Sequence, residues 1–368
     1  MRSTAVTARV GRVLGICFGI CFVTGVLSHY QYEPWLWLPE PAAPVWGYRL
    51  TQGLHVTTGI ATFPLLLVKL WSVYPRLFGW PPFPIERSAR SLLVVLERLS
   101  VAVLVSSALV ELVTGFFNVL DWYPWPWDFV PVHRFLGYVV IGSILLHIAI
   151  KLPVISEGLS TPLRERPQPG GRRGPSRRGV LTASGAGIGL LVVTTVGNSV
   201  TPLSRIGLFA PRKQSQGPFG VPINRTAMQA GVINRANDPK WQLHVRGPKS
   251  DYTISLDDLA SMSVHEASFP ISCVEGWSVG ADWRGLKLLD VIERVGGDSG
   301  SRVKVTSLEH RGSYQVSYVD GPQVSHALLA THLNGERLNI DHGYPIRLIA
   351  PDRAGVLNTK WLSEVEVL

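Results

Sequence analysis

The first 200 residues carry five long, almost uncharged apolar blocks, and these constrain the fold more than any other feature of the chain. They lie at about residues 11–29, 50–71, 92–117, 132–152 and 180–197. Because a helix needs about 20 apolar residues to cross a bilayer, each block predicts a membrane-spanning helix. After about residue 219 the apolar residues fall into short alternating runs, which predicts a separate soluble domain rich in β-strands.

The connections between the blocks differ in charge and predict an orientation. Two of them, "QYEPWLWLPEPAAPVW" and "NVLDWYPWPWDF", are acidic and rich in aromatic residues. The N-terminus and the other connections are basic and contain Arg2, Arg9, Arg12, Arg76, Arg87, Arg90, Lys151, Arg164, Arg166, Arg172, Arg173, Arg177 and Arg178. Basic connections stay in the cytoplasm, so we expect a multi-pass bacterial cell-membrane protein whose C-terminal domain is extracytoplasmic. The net charge of +9 therefore indicates topology, and no nucleic-acid partner is expected.

The fifth block begins with Ser176, Arg177, Arg178, Gly179, Val180 and Leu181. This run resembles the start of a twin-arginine export signal, and a Gly- and Ala-rich, moderately apolar stretch follows it. Twin-arginine export carries folded domains, so a cofactor can be inserted before export. The alternative is that the two arginines only flank a membrane span.

Two histidines in the apolar blocks are predicted to lie at the same depth. His55 lies in the outer third of the second span and His133 near the outer end of the fourth. Two such histidines can ligate a b-type haem, although they can also lie at the interface or hydrogen-bond between helices. His147 follows His133 by 14 residues, about 21 Å along the same helix face, which resembles the four-helix b-type cytochromes.

That resemblance is partial. Lys69 stands 14 residues after His55, where a second haem would need a histidine, so a single haem on His55 and His133 is expected, with His29 as an alternative ligand. Glu111 in the third span can serve a quinone or proton path, or hydrogen-bond to a neighbouring helix.

Short strands predominate after the polar stretch of residues 198–240. The predicted strands are "WQLHVRG", "YTISL", "SFPISCV", "RVKVTSL", "YQVSYV", "PIRLIAP" and "VEVL". Two helices, "LDDLASM" and "LKLLDVIERVG", interrupt them, and Ser255 and Asp258 form a cap before the first. We therefore expect a multi-domain chain, an all-α transmembrane bundle of five spans followed by an α+β, mostly β, domain.

Cys273 is the only cysteine after residue 21 and lies where a predicted strand enters a Gly-containing turn. A single cysteine can be a nucleophile, a buried inert side chain or a thiolate ligand of a metal. Farther on, "HGYPIRLIAPDRAGVLNTKWL" places His342, Arg347, Arg353 and Lys360 around Gly and Pro turns. These residues can form a cationic cradle for a phosphorylated organic cofactor.

Four blocks in order, "CVEGW", "WRGLKLLDVI", "LLATHLNGERL" and "HGYPIRLIAPDRAGVLNTKWLSEVEV", resemble the molybdopterin-binding domain of the sulfite oxidase family over nearly all of residues 219–368. The resemblance implies a molybdenum–molybdopterin cofactor with Cys273 as the molybdenum ligand. It further implies cofactor contacts from His342, Arg347, Gly355, Asn358 and Lys360. Asn224 and Ser307 match cofactor-contacting positions of the bacterial methionine sulfoxide reductase branch.

This chain departs from sulfite-oxidising members of that family. For a sulfite-oxidising member the resemblance implies arginines just after the cysteine. This chain instead has Val274, Glu275, Gly276 and Trp277. We therefore expect oxygen-atom transfer on a small S- or N-oxide, with electrons exchanged with the quinone pool or a redox partner protein. The alternative is a catalytically inactive binding or sensing module on a haem-free anchor.

The expected domains divide the chain into three parts. Residues 1–179 are a cytochrome b-like membrane domain with a basic linker, and residues 180–218 are the fifth span and a tether. Residues 219–368 are the extracytoplasmic molybdopterin domain.

Overall fold

The computed structural model describes residues 4–35, 37–77, 89–163, 177–196, 206–208, 212, 216–262, 265–310, 312 and 314–368. Arg2, Arg87, Ser176, the arginines between 164 and 173 and most of the tether after residue 196 lie outside the described residues. The chain divides into two compact units. The first is residues 1–25 and 54–196, and the second is residues 26–53 and 197–368.

Five long helices account for the apolar blocks. They are α1 (Thr4–Tyr30), α2 (Gly47–Leu77), α3 (Ala89–Val119), α4 (Phe129–Ser160) and α5 (Arg177–Thr195). By length and composition, all five are capable of crossing a membrane. Each helix begins before the predicted block, and α2 and α4 also run well past its end. The prediction followed apolar residues, whereas the hydrogen-bonded backbone continues through polar turns.

The first unit has a narrow core and an apolar exterior. Val6, Val10, Leu14 and Phe18 recur every four residues along α1 and join a buried cluster with Leu65, Leu66, Ala108, Leu112 and Val140. Large apolar side chains also face outward, among them Ile16, Leu67, Leu99, Leu145 and Leu190. Such an exterior is typical of helices that face hydrocarbon.

The second unit is rich in β-structure. Its strands are β1 (Gln242–Arg246), β2 (Asp251–Ser255), β3 (His265–Ser272), β4 (Ser278–Lys287), β5 (Val303–Ser307), β6 (Val316–Val319), β7 (Leu328–Leu333), β8 (Glu336–Arg337), β9 (Arg347–Ile349) and β10 (Leu362–Val367). Four short helices accompany them, α6 (Ala227–Ala230), α7 (Ile233–Ala236), α8 (Leu256–Ser261) and α9 (Leu288–Glu293).

The strands form two five-stranded sheets. The first has the order β2-β1-β10-β5-β6, with β1 and β10 parallel and the other pairs antiparallel. The second has the order β3-β4-β7-β8, and β9 also pairs with β7. Alternating buried residues such as Leu243 and Val245 on β1 place the main apolar core against the first sheet.

The predicted cap of α8 is confirmed. Ser255 Oγ accepts a hydrogen bond from the Asp258 amide at 3.2 Å, and an Asp258 carboxylate oxygen accepts one from the Ser255 amide at 2.8 Å. Strands β4, β7 and β8 were absent from the predicted set. β4 contains Gly280, Asp282 and Gly285, which have low strand propensity, and β7 is almost wholly buried and so lacks alternation.

Candidate functional site

Cys273 lies in the turn of the β3–β4 hairpin. Ser272 and Ser278 are the last paired residues of this hairpin, so the intervening five residues form the turn. The Cys273 amide donates to the Trp277 carbonyl at 2.8 Å, and the Gly276 amide donates to the Cys273 carbonyl at 3.0 Å. Gly276 has φ +94°, a conformation that favours glycine. The turn thus fixes the backbone that carries the thiol.

The thiol lines a cavity and has one close side-chain partner. The Cys273 side chain is almost fully buried, and Asn224 Nδ2 donates to its sulfur at 2.6 Å. Trp277 Nε1 donates to Asn224 Oδ1 at 2.9 Å. Because Trp277 occupies the oxygen, the amide presents its N–H to the sulfur, which is the orientation that stabilises a thiolate.

Cationic residues form another part of the cavity wall. His342 and Arg347 line it and are buried, and Lys360 lines it as well. Arg347 donates to the carbonyls of His342 and Asn358, each at 3.0 Å, while its Nε atom is buried with no hydrogen-bond partner among the residues that the structure describes. Lys360 Nζ donates to the carbonyls of Arg225 at 2.8 Å and Asp341 at 2.9 Å. A bound anion would satisfy both the charge and the unpaired Nε.

Burial disfavours the charged forms of these groups. It raises the pKa of the Cys273 thiol far above its usual value, with the neighbouring Glu275 carboxylate acting in the same direction. It lowers the pKa of His342 to about 4 and that of Lys360 to about 7, with the Arg347 charge contributing to both, and it lowers the pKa of Arg347 to about 9. A phosphate next to this wall would therefore stabilise the protonated, positively charged forms of these side chains. A metal that binds Cys273 would displace the proton of the thiol.

Gly355 and Asn358 complete this wall. A Cβ on Gly355 would lie 2.8 Å from the Ser272 carbonyl oxygen, so only glycine allows this approach to the end of β3. Asn358 uses its Oδ1 to accept from the Ala350 amide at 2.9 Å, which fixes the loop rather than pointing a donor at the cavity. Both residues line the cavity with Cys273.

Ser307 and Arg353 lie elsewhere. Ser307 Oγ donates to the Lys360 carbonyl at 2.8 Å, so it supports the backbone behind the wall and is not among the lining residues. Arg353, which the sequence placed in the cationic cradle, donates to the Tyr318 carbonyl at 3.0 Å and is also not a lining residue. Burial lowers the pKa of Arg353, and the negative charge of Glu40 opposes this shift.

The remaining lining residues were not predicted from the sequence. They include Arg225, Trp277, Glu309 and Tyr314. Arg225 forms an ion pair with Glu309, which offsets its charge. Arg225 adjoins Asn224 and could have been found from that position, whereas Glu309 and Tyr314 carry no local sequence signal.

The two predicted haem histidines are close together in the first unit. The ring centres of His55 and His133 lie 6.1 Å apart. An imidazole nitrogen binds a metal at about 2 Å and lies about 1 Å from its ring centre, so two imidazoles on one metal have centres about 6 Å apart. The separation therefore fits a shared iron.

The hydrogen bonds of these histidines also suit ligation. His55 Nδ1 lies 2.8 Å from the Cys21 carbonyl oxygen, and His133 Nδ1 lies 3.3 Å from Thr114 Oγ1. A proton on each Nδ1 leaves the Nε2 lone pair as the ligand atom. The Nε2 atom of His133 lies 3.2 Å from a Glu111 carboxylate oxygen, and two acceptors at that distance require a proton or a cation between them.

His29 and Lys69 have other contacts. His29 Nε2 lies 3.4 Å from a Glu33 carboxylate oxygen in the second unit, and Lys69 Nζ donates to the Thr7 carbonyl at 3.0 Å. Among the described residues, no group of three or more His, Cys, Asp or Glu side chains is arranged to hold a metal ion.

Comparisons with known proteins place this cavity in a family context. Residues 230–368 match the family model described as "Oxidoreductase molybdopterin binding domain". The chain is 28% identical to "Sulfite oxidase, mitochondrial" of Drosophila melanogaster over 44% of its length and 32% of that protein. It is 32% identical to "Protein-methionine-sulfoxide reductase catalytic subunit MsrP" of Ralstonia nicotianae over 39% of its length and 47% of that protein.

The matched region thus spans less than half of either relative. Among solved structures, the sulfane dehydrogenase SoxCD from Paracoccus pantotrophus aligns with 34% of this chain and 38% of its own, at 19% identity and a TM-score of 0.32.

Proposed function

Residues 230–368 match the family model of a molybdopterin-binding oxidoreductase domain. We propose on this basis that the chain is a membrane-anchored molybdenum enzyme that transfers an oxygen atom to or from a small S- or N-oxide type substrate. The observation that carries the proposal is the buried Cys273 thiol in a cavity with His342, Arg347 and Lys360. A sulfur ligand and a cationic wall are what a metal held by a phosphorylated organic cofactor requires.

The residues divide the work as follows. When bound, the molybdenum cofactor would supply a centre that exchanges one oxygen atom with the substrate for two electrons, so that gaining the oxygen oxidises the centre. Cys273 ligates the metal, and Asn224 holds the sulfur in place through its N–H. Arg347, Lys360 and His342 bind the anionic and polar groups of the cofactor, while Gly355 and Asn358 shape the wall around them. Trp277 and Tyr314 limit the access of water.

An uncharged oxide suits the cavity better than an anion such as sulfite. Arg225 lines the cavity but is paired with Glu309, and Arg212 is paired with Glu275 at 3.2 Å. The turn after Cys273 carries Glu275 and has no arginine. One of the relatives is named a methionine sulfoxide reductase subunit, which supports the same substrate class.

The first unit anchors the enzyme and conducts electrons in this proposal. The five long helices, their apolar exterior and the basic connections favour a multi-pass cell-membrane protein with a cytoplasmic N-terminus. The twin-arginine-like run at the start of α5 would export the C-terminal domain after folding. A b-type haem on His55 and His133 would exchange electrons with the quinone pool, and iron binding through Nε2 would replace the contact of His133 with Glu111.

An epitope tag fused after Leu368 tests the orientation. Protease added to intact spheroplasts should remove the tag if the C-terminal domain is extracytoplasmic. A tag that is removed only after the cells are lysed would refute the topology.

Turnover tests the function itself. The purified full-length protein, made in a host that synthesises molybdopterin, should reoxidise reduced viologen when given dimethyl sulfoxide, trimethylamine N-oxide or methionine sulfoxide. Sulfite with ferricyanide should give little or no rate. Rapid sulfite oxidation would reassign the substrate, and no rate with any of the probes in molybdenum-loaded protein would favour a binding or sensing module.

A further inference from the structure

The segment that connects α1 and α2 belongs structurally to the C-terminal domain. Residues 26–53, called here the connecting segment, fall in the same compact unit as residues 197–368, although more than 140 residues separate them along the chain. The family match begins only at residue 230. The connecting segment is therefore an addition to the molybdopterin domain from outside the matched region.

Buried polar residues anchor the segment to the domain. Asp352, which is 4% exposed, accepts hydrogen bonds from Gln31 Nε2 at 2.8 Å and from the Tyr48 amide. Gln323, which is fully buried, donates to the carbonyls of Pro41 at 3.1 Å and Pro351 at 2.9 Å. Moving the segment away would leave Asp352 without these two donors and Gln323 without the Pro41 carbonyl, and losing hydrogen bonds to buried groups costs stability. The segment is therefore a fixed wall and not a mobile lid.

Two contacts of the segment reach the cavity. Tyr32 donates to the hydroxyl of Tyr314 at 3.0 Å, and their rings meet edge to face with centres 6.2 Å apart. Tyr314 lines the cavity. Gln52 Nε2 donates to the carbonyl of Val274, the residue after Cys273, at 2.7 Å. The connecting segment thus supports the cavity beside the thiol and at Tyr314.

Tyr314 is suited to bind a substrate oxygen. It is a neutral side chain, it lies in the cavity with Cys273, and it has no part in the cationic wall. A hydroxyl whose oxygen accepts a hydrogen bond becomes a better donor through polarisation. The S=O or N–O oxygen of an oxide is a strong acceptor, so the bond from Tyr32 prepares Tyr314 for this class of substrate.

From these contacts we infer that Tyr32 is a positioning residue that sets Tyr314 to bind the oxygen of the substrate, and that the connecting segment is a wall of the substrate site. The inference rests on the proposed oxide chemistry, and it adds a residue from the N-terminal half of the chain to the site. Tyr32 acts through Tyr314 and does not itself contact the substrate.

Three single variants and one double variant of the full-length protein test this inference. Tyr32→Phe and Tyr314→Phe each remove one hydroxyl of the pair, and the double variant removes both. Tyr30→Phe is the matched control, because Tyr30 donates to the carbonyls of Leu38 and Pro39 within the connecting segment. The assay is viologen-driven reduction of dimethyl sulfoxide, with molybdenum content measured in each preparation.

We expect Tyr32→Phe and Tyr314→Phe to raise KM about 3- to 10-fold, with kcat changed less than about 2-fold and molybdenum content unchanged. The double variant should be no worse than Tyr314→Phe, since the two residues act as one unit. Tyr30→Phe should match the wild type. Additive effects in the double variant, or equal effects of Tyr32→Phe and Tyr30→Phe, would overturn the inference.

Hydrogen exchange gives a readout that does not depend on turnover. In cofactor-free protein, amide exchange in the peptide around residues 312–320 should be faster in Tyr32→Phe than in the wild type or Tyr30→Phe. If exchange is unchanged in protein that still reduces the oxide, the connecting segment is not a wall of the substrate site, while the proposed function remains intact. If the molybdenum-loaded wild type reduces no oxide, the proposed function fails, and the substrate role of Tyr32 fails with it.

Discussion

Asn224 and Cys273 are joined by a hydrogen bond of 2.6 Å from the amide to the sulfur, although 49 residues separate them. Trp277, from the same turn as Cys273, fixes the orientation of the amide. A sulfur that receives an N–H is prepared to carry negative charge, as a metal ligand must.

Asn224→Asp should impair the site without disturbing the fold. The substitution keeps the shape of the side chain but replaces the donor with a carboxylate, which repels a thiolate. We expect molybdenum retention or turnover to fall about 10- to 100-fold, measured by elemental analysis and oxide reduction. Asn237→Asp is the control, since Asn237 is exposed at the end of α7. Equal, full activity in both variants would remove Asn224 from the site.

Arg347→Lys should release the cofactor although the charge is conserved. The guanidinium donates to two backbone carbonyls at once. Its Nε atom is buried without a hydrogen-bond partner among the described residues, and an anion would supply that partner. A lysine cannot reproduce this planar fork. Co-purified molybdopterin should fall at least about 10-fold. Arg246→Lys, at a half-exposed ion pair with Glu364, should retain the cofactor; similar losses in both variants would indicate a general instability.

The stability of the protein should fall as the pH rises toward neutrality because of Glu40. Burial raises the pKa of this carboxyl from 4.5 to about 7. The pKa of this carboxyl is higher in the folded state than in the unfolded state. Its contribution to stability is therefore complete at pH values below the unfolded pKa and is lost as the pH rises to the folded pKa. Between about pH 4.5 and 7, the unfolding temperature should therefore decline by a few degrees.

Glu40→Gln should flatten this decline, as monitored by tryptophan fluorescence of the detergent-solubilised protein between pH 5 and 8. Asp352, whose pKa burial raises to about 6, should leave a residual slope below that pH. Glu336→Gln, at an exposed position in β8, serves as the control. A slope that is identical in all three proteins would contradict the assignment to Glu40.

A dithionite-reduced minus air-oxidised visible spectrum should show sharp b-type bands. His55→Ala and His133→Ala should each abolish them, because both imidazoles would ligate one iron. His147→Ala, a second histidine of α4, should leave them unchanged. A flat spectrum in folded, cofactor-supplied wild-type protein would reduce the first unit to an anchor and require a separate redox partner.

The features that the sequence predicted are those with a local cause. Apolar blocks long enough to cross a bilayer predicted α1 to α5, and alternation predicted strands such as β1 and β5. The position of Cys273 at the end of a strand was also visible, since the Gly-containing turn follows directly. Arg347 and Lys360 were found because they lie in one continuous motif near the C-terminus.

Features that depend on distant contacts were not predictable in the same way. The aromatic and acidic residues of the connecting segment predicted a loop at the membrane interface, but its hydrogen bonds to Asp352 and Tyr314 join residues 282 to 321 positions apart. The same reason explains Arg353: its motif suggested the cavity, whereas packing turned it toward the Tyr318 carbonyl. No local pattern specifies such pairings.

The most direct test of the central claim is the molybdenum content and oxide-reducing activity of Cys273→Ser beside Cys17→Ser, both in the full-length protein. We expect molybdenum in the wild type and in Cys17→Ser at close to one atom per chain, with full activity. In Cys273→Ser, turnover should fall more than about 100-fold. Wild-type protein without molybdenum, or full activity in Cys273→Ser, would contradict the assignment of this cavity as a molybdopterin site.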